Sequence, residues 1–257
     1  MLGRILNGFN LNFKSAISDK DIASFKDAKQ HYSDCYLMTT LETLSHTENG
    51  KKILKENIQR DDENKDTVNC YLYNPSGKKE KFAVSTDTVI KNYSELYNNQ
   101  PNDIIRSMDI SVDEYEKKYK SKYWLCSFTD KFKTFRFENN VPSHFMKTLT
   151  GIEPRTIAEK DFNIDLSGYK DEVMELFKQM EKEKNHSFLI ATGMKMLDGH
   201  SWHVYILEDV DLKNNTITVK EKRSNTPKIM DIDTALKTFK YITGYFNSDL
   251  EVEKVNK

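Results

Sequence analysis

The hydrophobic periodicity of this 257-residue chain changes along its length. Residues 35–45 have apolar side chains at the spacing of one helical face, namely Leu37, Met38, Leu41 and Leu44. In the last third, an amphipathic helical pattern is followed by three strand-like runs, at 187–192, 202–207 and 216–221. Helices first and strands later is the pattern of an α+β fold.

The other elements are predicted from shorter signals. A hairpin is expected where the alternating residues 68–72 and 81–84 flank the turn Asn74-Pro75-Ser76-Gly77. Gly77 supplies the positive φ that such turns use. Further helical patterns lie at 50–59, 111–119, 141–149, 171–184 and 233–240, and a last strand pattern lies at 241–246.

The composition favours a folded chain with no electrostatic bias toward a particular partner. Hydrophobic residues make up 37% and charged residues 31%, and the formal net charge is −1. We therefore expect no nucleic-acid partner. No apolar run approaches the roughly 18 residues that span a membrane, and residues 1–9 lack the apolar core of a secretory signal. These features predict a cytoplasmic protein without a membrane partner, or one exported without a classical signal peptide.

The three cysteines are Cys35, Cys70 and Cys126. Their odd number does not suit a disulfide framework, and their spacing does not suit a zinc knuckle. We expect free thiols and neither a metal nor a cofactor. Cys35 opens the predicted helix at 35–45, where unpaired amides and the positive end of the helix dipole favour a thiolate. Ser33 or Asp34 is suited to cap that helix, and the alternative for Cys35 is a buried structural cysteine.

Two histidines compete as the base for such a thiolate. His200 and His203 are three positions apart, so on a strand they point to opposite faces. His200 follows Gly199 at the start of the predicted strand 202–207, where it would face a cleft. His203 would lie within the strand and point to solvent or a packed helix. We therefore predict His200 as the base, with Gln30 donating to a developing oxyanion beside the Cys35 amide.

Two segments carry a family resemblance. Gln-x-x-Ser-Asp-Cys-Tyr-Leu at 30–37 resembles the nucleophile segment of calpain-type cysteine peptidases of the papain-like superfamily, in a bacterial-type relative. Gly-His-Ser-Trp-His-Val at 199–204 resembles the Gly-His-Ala-Tyr-x-Val of that family. The run Thr-Ile-Thr-Val at 216–219 resembles the strand that leads to its catalytic asparagine.

The resemblance implies a papain-like fold of two lobes in one catalytic domain, 1–257. A mainly helical lobe with a hairpin would cover about 1–155, and an antiparallel β lobe about 156–257. The cleft between them would bind an extended protein or peptide substrate and would be lined by Asp34, Tyr36, Gly199 and Trp202. The implied function is a cysteine endopeptidase that forms a thioester at Cys35, with His200 as general base.

The sequence departs from the family pattern at the third triad position. The family's Asn-Pro-Trp is missing, and Glu221 to Asn225 stand there instead. Strand register favours Glu221, whereas a shift of one turn would use Asn225. Either side chain is able to accept the imidazole N–H, and a glutamate would also raise the basicity of His200.

Other functions use the same residues. The alternatives are a degenerate relative that binds peptide without cutting it, or an acyltransferase, deamidase or isopeptidase with the same Cys/His machinery. The sequence indicates no oligomeric state.

Overall fold

A computed structural model describes residues 16–28, 35–64, 66–85, 87, 103–119, 142–158, 164–193, 197, 203–222 and 224–251. The predicted α+β class is confirmed, since this part of the chain combines helices with antiparallel sheets. Its α helices are α1 (Asp19–Ser24), α2 (Cys35–Leu44), α3 (Glu48–Asn57), α4 (Asp103–Tyr119), α5 (Pro142–Thr150), α6 (Lys170–Lys182) and α7 (Ile232–Thr238). Short 3₁₀ helices cover Leu166–Tyr169 and Ser248–Leu250.

The strands form two antiparallel sheets. The smaller sheet has the order β1-β2-β3, with the strands Ile58–Arg60, Thr67–Tyr73 and Lys79–Ser85. The larger sheet has the order β4-β9-β5-β6-β7-β8. Its strands in chain order are β4 (Arg155–Ile157), β5 (His186–Thr192), β6 (Val204–Asp211), β7 (Thr216–Lys220), β8 (Pro227–Asp231) and β9 (Phe239–Phe246).

The predicted hairpin is confirmed as the β2–β3 pair. The Asn74 side chain accepts hydrogen bonds at 3.0 Å from the backbone amides of Ser76 and Lys78, which closes the turn from within. Gly77 has φ +77°, a conformation in which a β-carbon would be strained. Local turn chemistry therefore fixes the register of this sheet.

Two hydrophobic cores lie on the two faces of the larger sheet. Side chains of β6 alternate between them, with Val204 and Ile206 in the first core and Tyr205 and Leu207 in the second. The first core joins the sheet to the helices α2 to α5, and the second joins it to α6 and α7.

Helix α2 is the central element of the first core. Every residue after Cys35 in this helix is buried, and the helix packs on β5 and β6. The Ser187 hydroxyl at the start of β5 donates to the Thr43 carbonyl at 2.8 Å. Helix α3 follows after a tight turn, in which Thr47 caps it by accepting from the Gly50 amide at 3.1 Å.

The structure corrects several predicted boundaries. The helix predicted over 50–59 ends at Asn57, because Ile58–Arg60 pairs with β2. The helix predicted over 111–119 begins at Asp103. The strand predicted over 202–207 begins at Val204, so His203 precedes it rather than lying within it. Edge strand β8 was not predicted, because its exposed residues show no hydrophobic alternation.

Among the helices of the described ranges, none has both the length and the hydrophobicity that crossing a membrane requires.

Buried His186 provides a test of the second core. It opens β5, is 6% exposed, and its ring centroid lies 5.9 Å from that of Phe188 and 6.5 Å from that of Phe246. Burial lowers the pKa of His186 from 6.5 to about 4, because the imidazolium would lose its hydration. The neutral ring is therefore the form that this core accepts.

We expect the free energy of unfolding to fall as the pH drops from about 6.5 to 4. In that window the unfolded chain binds a proton at His186 and the folded chain does not, so the full stabilisation is present only above about pH 6.5. The loss should be on the order of 2–3 kcal/mol. Urea unfolding of the wild type and of His186→Phe at several pH values measures it. Parallel curves for the two proteins would contradict the assignment.

Candidate active site

Cys35 is the first residue of α2, as the sequence predicts. It is partly buried and packs against the first core, which contains Val204 at the start of β6. The first turn of α2 has no acidic residue, so no carboxylate of that turn opposes a negative charge at its N-terminus. The Thr39 hydroxyl donates to the Cys35 carbonyl at 2.5 Å and ties the first turn of the helix together.

His203 lies directly before β6 and is only 4% exposed. Its amide donates to the Thr192 hydroxyl at 2.9 Å, and its carbonyl accepts from the Thr192 amide at 2.9 Å. Its ring packs edge-on against Tyr205, with 5.0 Å between the centroids. The imidazole is thus held in place by the end of β5 and the start of β6.

Glu221 directly follows β7 and meets that imidazole. Its Oε1 lies 3.4 Å from Nε2 of His203, and the residue is 8% exposed. Because β6 and β7 are antiparallel, the start of one and the end of the other lie at the same end of the sheet. A carboxylate this close to a ring nitrogen is in the position of the acid that orients a catalytic histidine, although the two atoms are farther apart than in a typical hydrogen bond.

Asn225, the alternative to Glu221, has a different set of contacts. Its side-chain amide donates to the Lys26 carbonyl at 3.1 Å, and its backbone amide donates to the Glu221 carbonyl at 2.8 Å. Its φ of +56° closes the turn after Glu221. Asn225 therefore anchors this turn, and the acidic group beside His203 is Glu221.

Tyr36 occupies a core position in contrast to the predicted cleft position. It is 2% exposed, and its ring packs edge-on against Phe145 with 5.5 Å between centroids. The predicted site residues Gln30, Asp34, Gly199, His200 and Trp202 lie outside the described residues.

A buried group of charges, which the sequence reasoning missed, lies beside Glu221. Its members are Glu42 of α2, Lys220 at the end of β7 and Lys222 just after it. Burial lowers the pKa of Lys222, and the Glu42 carboxylate opposes that effect. Two sequence signals were available: a glutamate within the apolar helix 35–45, and lysines on both sides of Glu221.

No cluster of three or more histidine, cysteine or carboxylate side chains suited to hold a metal ion occurs among the described residues.

We expect Cys35 to be alkylated faster than Cys70 in the folded protein. Cys70 is fully buried, and that burial raises the pKa of its thiol to about 12, so it has almost no thiolate at neutral pH. Iodoacetamide labelling at neutral pH with peptide mapping measures both rates. The urea-unfolded chain is the control, in which Cys70 should label readily. Faster labelling of folded Cys70 or of Cys126 would refute Cys35 as the reactive thiol.

The chain matches no protein-family model and no curated protein.

Proposed function

We propose that this chain is a papain-like cysteine peptidase in which Cys35 is the nucleophile, His203 the general base and Glu221 the orienting acid. The observation that carries the proposal is the buried contact of 3.4 Å between Nε2 of His203 and Oε1 of Glu221. A buried imidazole with a carboxylate on one nitrogen is equipped to exchange a proton at the other.

The fold supports this combination. A helix that begins with a cysteine packs against an antiparallel sheet whose neighbouring strands supply the histidine and the acid. Cys35 packs against the first core, which contains Val204. His203 and Glu221 lie with Tyr205 on the other face of the sheet, so the proposed reaction requires the imidazole to reach Cys35 around the start of β6. A helix that begins with a cysteine and packs on an antiparallel sheet is an arrangement that we expect of a papain-like enzyme.

The reaction follows from the three side chains. Nδ1 of His203 takes the proton of the Cys35 thiol, and the thiolate attacks the carbonyl carbon of a peptide bond. The imidazolium then gives that proton to the leaving amine, and a thioester on Cys35 remains. Water, activated by the same imidazole, hydrolyses the thioester and restores the thiol. Glu221 stabilises the imidazolium in both halves of the cycle.

The oxyanion of each tetrahedral intermediate needs hydrogen-bond donors. The first amides of a helix have no intrahelical acceptor, so the Cys35 amide is suited to donate. Gln30 remains the predicted second donor. Each such donor is worth roughly 10²–10³ in rate.

His203 replaces His200 as the proposed base because of Glu221. We prefer His203 because it contacts the acid that follows β7, whereas His200 lies outside the described residues and stays the predicted alternative base. The acid was predicted from strand register independently of this contact. The contact between His203 and Glu221 is therefore our reason to choose His203 as the base.

His203→Ala should lower peptidase activity by about 10²–10⁴, the usual contribution of a general base. His200→Ala should leave most of the activity, because the proposed proton transfer does not use it. Fluorophore release from a mixture of peptide substrates measures both variants, and thermal unfolding checks that both are folded. Loss of activity in His200→Ala with retention in His203→Ala would reverse the assignment.

Glu221→Gln should reduce turnover by up to about 10⁴, since the imidazolium loses its counter-charge. Asn225→Ala should have little effect on turnover, because Asn225 bonds to the Lys26 carbonyl rather than to His203. Steady-state kinetics on the same substrates compares the two. A larger loss in Asn225→Ala would contradict the assignment, and full activity in both would reduce the triad to a Cys–His dyad.

A further inference from the structure

Two buried lysines converge on one buried glutamate between α2 and β7. The Lys220 ammonium donates to Oε1 of Glu42 at 2.6 Å, and the Lys222 ammonium donates to Oε2. Glu42 and Lys222 are 0% exposed and Lys220 is 3% exposed. Both carboxylate oxygens are thus used, each by a different lysine.

We propose that Glu42 is a positioning residue of the active site. It sets the register between the helix that carries Cys35 and the strand end that carries Glu221. This inference rests on the proposed function, since it concerns the alignment of those two residues.

Cys35 and Glu42 belong to the same helix, α2. Glu42 follows Cys35 by seven positions, which is close to two helical turns or about 10 Å along the axis. The two residues therefore lie on the same face of one rigid helix. A displacement of Glu42 along or around the helix axis is passed on to Cys35.

Side chains alternate between the two faces of the sheet at the end of β7. Ile217 and Val219 belong to the second core, so Glu221 continues on their side of the sheet, where His203 packs with Tyr205. Lys220 and Lys222 alternate with it and reach α2 on the other side. Glu221, the acid of the proposed triad, thus lies between the two lysines that bind Glu42.

Lys222 also binds backbone carbonyls of the segment that follows α1. Its ammonium also donates to the Phe25 carbonyl at 3.0 Å and to the Lys26 carbonyl at 3.1 Å. The three donors of this buried lysine therefore each have an acceptor. These directional bonds hold the end of β7 against both α2 and the residues after α1.

Among the described residues, the other titratable groups near the cluster are Glu208, His46, Lys26 and Asp27. Glu208 lies 3.8 Å from the Lys220 ammonium, and His46 lies 3.9 Å from Oε1 of Glu42. Burial raises the pKa of Glu208 and lowers that of His46. A neutral His46 adds no positive charge beside Glu42, so Lys220 and Lys222 are the cations that bind both of its carboxylate oxygens.

Burying three charged side chains between α2 and β7 costs desolvation free energy. Apolar residues of similar volume often replace a buried ion cluster with no loss of stability, because they avoid the desolvation penalty. Apolar contacts, however, do not fix a direction, whereas hydrogen-bonded charges do. Replacing the charged cluster by apolar residues should therefore keep the stability of the fold while it removes the alignment of α2 with the end of β7.

The decisive variant replaces the cluster by apolar residues, as Glu42→Met/Lys220→Leu/Lys222→Met. We expect its melting temperature to remain near that of the wild type. We also expect the alkylation of Cys35 at neutral pH to slow by about tenfold, with a higher pH midpoint, and kcat to fall more than KM changes. If this variant fails to fold, Glu42→Gln takes its place, measured below its own melting temperature, with the same expected changes.

Arg155→Met is the matched control, because it breaks an ion pair with Asp249 at the opposite edge of the sheet. It should leave the alkylation profile of Cys35 unchanged.

A folded apolar variant, or a folded Glu42→Gln, with the alkylation profile and kcat of the wild type would overturn the positioning role. His203→Ala and Glu221→Gln are measured in parallel. If neither changes the reactivity of Cys35, the proposed function fails; if they do and the Glu42 variants do not, only the positioning role fails.

Discussion

The rest of the structure depends on the packing of α2 against the larger sheet. This helix is buried along its whole length after Cys35, so its position is set by the sheet below it and by the neighbouring helices. A buried helix is held mainly by apolar contacts, which do not specify a register. The bonds from Lys220 and Lys222 to Glu42 add that directionality.

Antiparallel pairing explains how a histidine and an acid separated along the chain come together. The turn between β6 and β7 sends the chain back along its own path, so the residue before β6 and the residue after β7 lie at the same end of the sheet. Alternation of side chains then puts His203 and Glu221 on one face. The same alternation turns Lys220 and Lys222 toward α2. One strand end thus serves both the proposed chemistry and the attachment of the helix that carries Cys35.

Buried polar groups therefore have two distinct roles in the proposed enzyme. His203 would change its charge state during turnover beside the Glu221 carboxylate, whereas Glu42 and the two lysines would hold the alignment. Cys70 differs from Cys35, because burial raises the pKa of the Cys70 thiol far more than its hydrogen bond with Ser111 lowers it. Cys35 is only partly buried and opens α2, where the unpaired amides of the first turn favour a thiolate.

Local periodicity by itself determined the helix that begins at Cys35, the β2–β3 hairpin with Gly77, and strands β5 and β7, because each depends on neighbours in sequence. The resemblance to the calpain-type pattern, taken with the strand register, marked Glu221 as a candidate for the third triad position. Only the tertiary structure decided that His203 contacts Glu221, because the start of β6 is set by pairing with β5 rather than by hydrophobic alternation. The bond between Glu42 and Lys220 joins residues 178 positions apart. Such a contact leaves no periodic signal in the sequence, since it arises only when a helix packs on a sheet and the buried charges must find partners.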